Sequence, residues 1–162
     1  MYRIGDKVVH PMHGAGVISD IVEERISGQK RQYYVFCLPI GELVLKFPTE
    51  SCGLIGIRDL STREQIESLI ATIPDIPTDM TASWNRRYRE NMERLKSGDL
   101  AEVARVIKTL MWRDRDRSLS NGERKMLHSA KQIFLSEVVL VEDADYKETE
   151  RRIDQVMLAG AN

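Results

Sequence analysis

The chain has little cysteine, no long apolar run and no excess charge of one sign. Its 162 residues include two cysteines, Cys37 and Cys52. A disulfide scaffold needs a denser framework and a zinc ribbon needs paired Cys-x-x-Cys spacings, so both are excluded. Two buried thiols in a reducing compartment are expected instead. No apolar run approaches the ~20 residues of a membrane-spanning helix. The opening Met1-Tyr2-Arg3-Ile4-Gly5-Asp6 has no signal-peptide pattern, so a cytoplasmic protein is expected. Internal repeats and low-complexity segments are missing too. The chain sets 24 Lys/Arg against 25 Asp/Glu, net −1, which argues against a protein that coats nucleic acid unaided.

Catalytic patterns are equally sparse. His10 and His13 flank Pro11-Met12 with no third ligand close in sequence, so ordinary turn histidines are expected and no metal. Gly14-Ala15-Gly16 lacks the spacing and following helix of a dinucleotide fingerprint and reads as a turn leading into a strand. Asp114 and Asp116 alternate with Arg113, Arg115 and Arg117, which points to intrahelical pairing rather than an acid–base pair. His128 reads as a surface or interhelix residue. No nucleophile–base motif is visible. The expectation is a protein that is not an enzyme and needs no cofactor.

What is present is a core and a change of pattern. Apolar residues make up 42% of the chain, enough for a packed interior. Before residue 60 the pattern is that of strands: Arg3 to His10, Gly16 to Ile26, Gln32 to Leu38 and Leu43 to Phe47, with Ile55-Gly56-Ile57 expected to close the sheet. Turns fall at Ser27-Gly28-Gln29 and at Pro39 to Glu42. Four or five short strands predict a small, strongly bent barrel or half-barrel. After residue 60 the period becomes helical. Ser61-Thr62-Arg63-Glu64 reads as a capping box that starts a helix to about Ile73. Pro74 and Pro77 force an extended connector. Thr81 or Ser83 caps a helix from Trp84 to about Lys96, Asp99 caps the next, Ser120-Asn121-Gly122-Glu123 starts another, and the last runs from about Asp145 to Leu158. The expected fold class is α+β, with a bent β-barrel over 1–60 and a compact five-helix part over 61–162.

Charge singles out one region. Residues 84–125 carry twelve Lys/Arg and seven Asp/Glu, net +5, between flanks of net −3 on each side. At the head of this island stands Trp84-Asn85-Arg86-Arg87-Tyr88-Arg89. Arginine pairs with phosphates, and tryptophan is flat enough to stack on a base or wedge between base steps. Backbone N–H groups of the first helical turn add to the positive field. Tyr88, four residues on, shares the face of Trp84 and is placed to buttress it. Trp112, beside Leu110 and Met111 in an apolar stripe, is expected in the core. A net-acidic chain with one basic island needs a second anchor to hold DNA. The alternative is a protein-interaction adaptor, with the basic helix on an acidic partner and Trp84 in the core.

Three motifs carry a family resemblance over essentially the whole length. Ile4-Gly5-Asp6-Lys7-Val8-Val9-His10-Pro11-Met12-His13-Gly14-Ala15-Gly16 resembles the opening of the CarD/CdnL family of bacterial transcription regulators, a module also found in transcription-repair coupling factors. Trp84-Asn85-Arg86-Arg87-Tyr88-Arg89-Glu90-Asn91 with Leu95-Lys96-Ser97-Gly98-Asp99, and Leu119-Ser120-Asn121-Gly122-Glu123-Arg124-Lys125-Met126-Leu127, resemble CarD-like proteins specifically. The resemblance implies a Tudor-like domain that binds the RNA polymerase β subunit, and a helical domain on promoter DNA at the upstream edge of the transcription bubble. There the tryptophan, here Trp84, enters the minor groove and stabilises the open complex. It implies DNA contacts at Trp84, Arg86, Arg87, Arg89, Arg124 and Lys125, without sequence preference. The implied polymerase contacts are Arg25, Ile26, Leu43, Val44, Leu45, Lys46 and Phe47, with Glu24 standing where some relatives have arginine. A monomer is expected, with exchange of N-terminal strands between chains as the alternative.

Overall fold

Alternating apolar and polar residues drive the first third of the chain into strands. The computed structural model describes residues 1–160 and places five: β1 (Lys7–His10), β2 (Gly14–Ile26), β3 (Gln29–Leu38), β4 (Leu43–Pro48) and β5 (Arg58–Asp59). Neighbours are antiparallel in the order β4-β3-β2-β1-β5. The β2–β3 hairpin turns on Ser27 and Gly28, both with positive φ (53° and 79°), a geometry whose twist matches the flanking strands. Within β2, pairing steps from Ile18↔Phe36 to Asp20↔Val35, leaving Ser19 as a bulge that bends the long strand. The sheet curls around Val8, Ile18, Tyr34, Phe36, Leu38 and Phe47. Because β4 and β5 are its two edges, it is an open half-barrel.

The closing strand is not Ile55-Gly56-Ile57. Cys52–Ile55 forms a single helical turn, α1, ended by Gly56 at φ 94°, and β5 follows it to pair with β1. The described residues therefore hold six α-helices where five were expected. The other five are α2 (Arg63–Thr72), α3 (Trp84–Lys96), α4 (Leu100–Asp116), α5 (Asn121–Glu142) and α6 (Tyr146–Met157). Side chains of Ser83, Asp99, Ser120 and Asp145 cap α3 to α6 by accepting backbone N–H groups. The cap of α2 lies one residue later than its sequence suggests. Thr62 and Gln65 form the capping box, because the Ser61 N–H donates to the buried carboxylate of Glu137 at 2.8 Å.

The α5 helix is central to both halves. One stripe, including Met126, Ala130, Phe134 and Val138, joins the helical core. In the same core Lys108 is 3% exposed, and its ammonium donates to the carbonyls of Ile73, Pro74 and Ile76 at 2.8–2.9 Å. Another face of α5 receives the sheet. The Ala15 N–H donates to Ser136 Oγ at 2.9 Å. A Cβ on Gly14 (φ 104°) would stand 2.4 Å from that same Oγ, so only glycine permits the approach. Glu137, with no exposed surface, accepts both Arg58 guanidinium nitrogens at 2.7 and 2.9 Å, while Arg58 Nε reaches the Gly98 carbonyl at 2.9 Å. One arginine thus ties β5, the α3–α4 turn and α5 together.

This ion pair predicts acid sensitivity. Burial pushes the Glu137 carboxyl up, but hydrogen bonds from Arg58 and Ser61 outweigh it and hold the group below the usual glutamate range. A depressed carboxylate contributes its full stability above the unfolded-state value of about 4.3, and loses it as pH falls through the lower folded value. Urea unfolding should give a flat contribution from neutral pH down to about 4.3 and a decline below it. Glu137→Gln should show a shallower decline.

Candidate nucleic-acid interface

Trp84 is the first residue of α3 and is 44% exposed. The alternative that buries it in the core does not hold. It is nonetheless firmly held. Its indole lies nearly parallel on Tyr88, with ring centroids 5.1 Å apart and planes 18° apart. Its Nε1–H donates to Ser120 Oγ at 3.0 Å. Ser120 in turn caps α5 and donates to Glu123 Oε1 at 3.2 Å. A Cβ on Gly122 would sit 3.4 Å from Tyr88 and 3.9 Å from Trp84, so the start of α5 forms a close seat beneath both rings. An indole with one edge fixed and one face open is preorganised to stack.

Arg87 needs correction. It is 5% exposed and is no free phosphate contact. Its guanidinium donates to Glu123 at 2.8 and 3.3 Å and to the Ala82 carbonyl at 3.1 Å. Glu123 is 1% exposed. Burial pushes its carboxyl up, but Arg87 and Ser120 hold it below the ordinary glutamate value. Trp84, Ser120, Glu123 and Arg87 therefore form one chain of hydrogen bonds that locks the start of α3 to the start of α5. Ser120 and Glu123 are legible in sequence only as a helix start, and nothing in the spacing signals their second role.

The other cations are exposed but not equivalent. Arg86 pairs with Glu90 at 2.9 Å, and Arg124 with Asp114 at 3.5 Å. Arg89 and Lys125 are exposed and make no ion pair among the described residues. Exposed pairs are worth little and open readily toward a stronger anion. With Arg87 removed from the set, two to three phosphates are the expected load, and the log–log salt slope of DNA binding should be roughly −2 to −3. Fluorescence anisotropy across a salt series measures it directly, and a slope near zero would exclude phosphate contact.

Trp112 also departs from expectation. It is half-buried, with its Nε1–H donated to the Met157 carbonyl at 2.7 Å and the Lys108 and Arg115 cations each 5.6 Å from the ring centroid. It clamps α4 to α6 at the rim of the core.

In the sheet, β4 is an edge strand. Ile26, Leu43 and Val44 are 50%, 43% and 57% exposed, Leu45 is half-buried, and Arg25 is exposed on the hairpin arm. Phe47 is 5% exposed within the sheet core, which removes it from the candidate surface. Its position alternates with Lys46, so the two point to opposite faces. Lys46 Nζ lies 2.6 Å from Glu24 Oε1. His10 and His13 meet edge to face, with centroids 4.7 Å apart. Burial, and then the His13 charge, lower the His10 pKa to about 4, so it is neutral at physiological pH and its Nδ1 accepts the Met12 N–H. No cluster of three or more His, Cys, Asp or Glu able to hold a metal occurs among the described residues, and no described helix is long and apolar enough to cross a membrane.

The geometry thus combines an apolar strand edge in the sheet with a braced, exposed indole at the start of α3. Comparison with known proteins accords with it. Residues 2–61 match the CarD-like/TRCF RID domain model and residues 68–154 match the CarD C-terminal domain model. The chain is 30% identical over 148 residues to YdeB of Bacillus subtilis (strain 168), a candidate transcription factor, covering 91% of this chain and 97% of that protein. This chain belongs to the CarD family of transcription regulators.

Proposed function

We propose that the protein binds the β subunit of RNA polymerase through its β4 edge and stabilises the promoter open complex by wedging Trp84 into the minor groove at the upstream edge of the bubble. The observation that carries this is Trp84 itself. A large exposed indole braced by a stacked tyrosine and a hydrogen bond is costly to leave unused. A base step already strained at the bubble edge is the natural place for an apolar wedge, which selects DNA structure over sequence.

The match to the RID domain model supports polymerase as the tether. An edge strand with exposed Leu43 and Val44 can extend a partner sheet by backbone hydrogen bonds. Tethering raises the local concentration of the helical part at promoter DNA, so a weak DNA grip suffices. The division of labour puts polymerase binding in residues 1–60 and DNA contact in 61–162. Promoter opening, followed with a fluorescent base in the bubble, tests the reading. The intact protein should prolong the lifetime of open complexes, and no effect on that lifetime would exclude it.

Lys46→Glu should weaken polymerase capture. It reverses a surface charge and sets two carboxylates together at Glu24, where the native pair stands at 2.6 Å. Glu24→Gln, which releases Lys46, should preserve or raise capture. Surface immobilisation of polymerase measures both. Equal capture by Lys46→Glu and the unmodified protein would remove Lys46 from the interface.

A further inference from the structure

On another side of α3, between it, α4 and the connector before α3, lies a polar cavity of about 230 Å³. Its size is below the range of small-molecule sites and fits one phosphoryl-sized group. Two of its lining residues are donors without acceptors. Asn91 is 1% exposed, and its side-chain Nδ2 has no hydrogen-bond partner. The amide orientation is fixed, because Arg94 Nη1 donates to Asn91 Oδ1 at 2.9 Å and a guanidinium can only donate. The amide NH₂ therefore needs an acceptor from elsewhere, because a buried donor left without one keeps its full desolvation penalty. Arg105, half-buried on α4, makes no hydrogen bond or ion pair among the described residues.

The remaining charges in the lining are already engaged. Arg86 pairs with Glu90, Arg87 with Glu123, and Arg94 with Glu102 at 3.5 Å. Asp79 accepts the N–H and hydroxyl of Thr81 at 2.9 and 2.7 Å, with the Arg86 and Arg105 charges acting on it. Counting the acidic partners outside the cavity, the cluster is close to neutral. What distinguishes it is one planar guanidinium fork and one amide, both lacking an oxygen.

We propose that this cavity seats a single tetrahedral oxyanion of the phosphate class, held by Arg105 and the Asn91 amide. A guanidinium fork matches two oxygens of such a group, and the amide supplies a neutral donor to a third. With little net charge behind it, the site binds in the millimolar range. The group comes either from free phosphate or from a DNA backbone phosphodiester, which share this chemistry. The site stands on its own residues and not on the wedge reading.

The test is a titration of the full chain with inorganic phosphate at constant ionic strength in chloride, following the Asn91 side-chain amide by NMR. A saturable shift is expected in the unmodified protein. Arg105→Ala should weaken it at least tenfold, whereas Lys147→Ala, exposed on α6 and outside the cavity, should leave it unchanged. If Arg105→Ala fails to fold, Arg105→Lys keeps the charge and loses the fork, and it should still bind phosphate more weakly. A forked DNA duplex separates the sources. If DNA moves the same resonance and Arg105→Ala lowers the salt slope by about one, the group is a backbone phosphate. If only inorganic phosphate moves it, the group is a free ion. No saturable shift with either, or an equal shift in the Arg105 variants, would overturn the site whatever Trp84 does.

Discussion

Trp84→Ala is expected to leave the fold intact and remove most of the open-complex effect. The indole is 44% exposed, so its loss opens no cavity in the core. It contributes one hydrogen bond to Ser120 and one stacked face to Tyr88, both at the surface. What disappears is the proposed wedge. A stacking contact of this kind is worth roughly 1–3 kcal/mol, which corresponds to about a five- to hundred-fold shift in open-complex population. Trp84→Phe keeps a flat ring but not the Nε1–H, and it should fall between the two. The contrasting variant is Trp112→Ala. That ring is half-buried and bonded to the Met157 carbonyl, so its removal should lower thermal stability with little change in promoter opening per folded molecule. Thermal unfolding and promoter opening on the three variants distinguish the roles. A Trp84→Ala protein that opens promoters normally would sink the wedge.

The second large effect concerns Arg87, which never reaches the surface. Arg87→Ala leaves the Glu123 carboxylate 1% exposed and without its cation. Breaking one side of a buried pair costs about 3–5 kcal/mol, because the remaining charge stays desolvated. Replacing both partners, Arg87→Met with Glu123→Leu, should recover much of that stability, since an apolar pair of similar size carries no desolvation penalty. Function should not follow stability in the double variant. Glu123 also accepts from Ser120, which holds the indole, so a stable protein with a loosened Trp84 is expected. Chemical denaturation reads the first effect and promoter opening the second. A double variant that is stable and fully active would show that the network under Trp84 serves folding only.

The surface charges of α3 sort by this same logic. Arg86 and Arg89 remain available to an anion, whereas Arg87 is committed to Glu123. Three arginines in four positions cannot share one helix face, because successive residues are turned by about 100°.

Most of the local structure was legible in the residues. The capping side chains of Ser83, Asp99, Ser120 and Asp145 compete for backbone N–H groups wherever they stand, so the starts of α3 to α6 could be read directly. The strand pattern and its turns were legible for the same reason, since φ and side-chain alternation are local properties. Four of the departures share one cause. The α2 cap moved because Ser61 found Glu137, 76 positions away. Arg87 left the surface because Glu123, 36 positions away, was there to neutralise it. Phe47 turned inward to Tyr34 and Phe36, and Trp112 settled at the rim of the core on a carbonyl of α6. Local sequence by itself determined where α3 to α6 begin, where the β2–β3 hairpin turns and which patches carry charge. Only tertiary structure decided which of those charges face water, because burying an arginine or a glutamate is affordable solely when its partner arrives from another element, and no spacing along the chain announces that meeting.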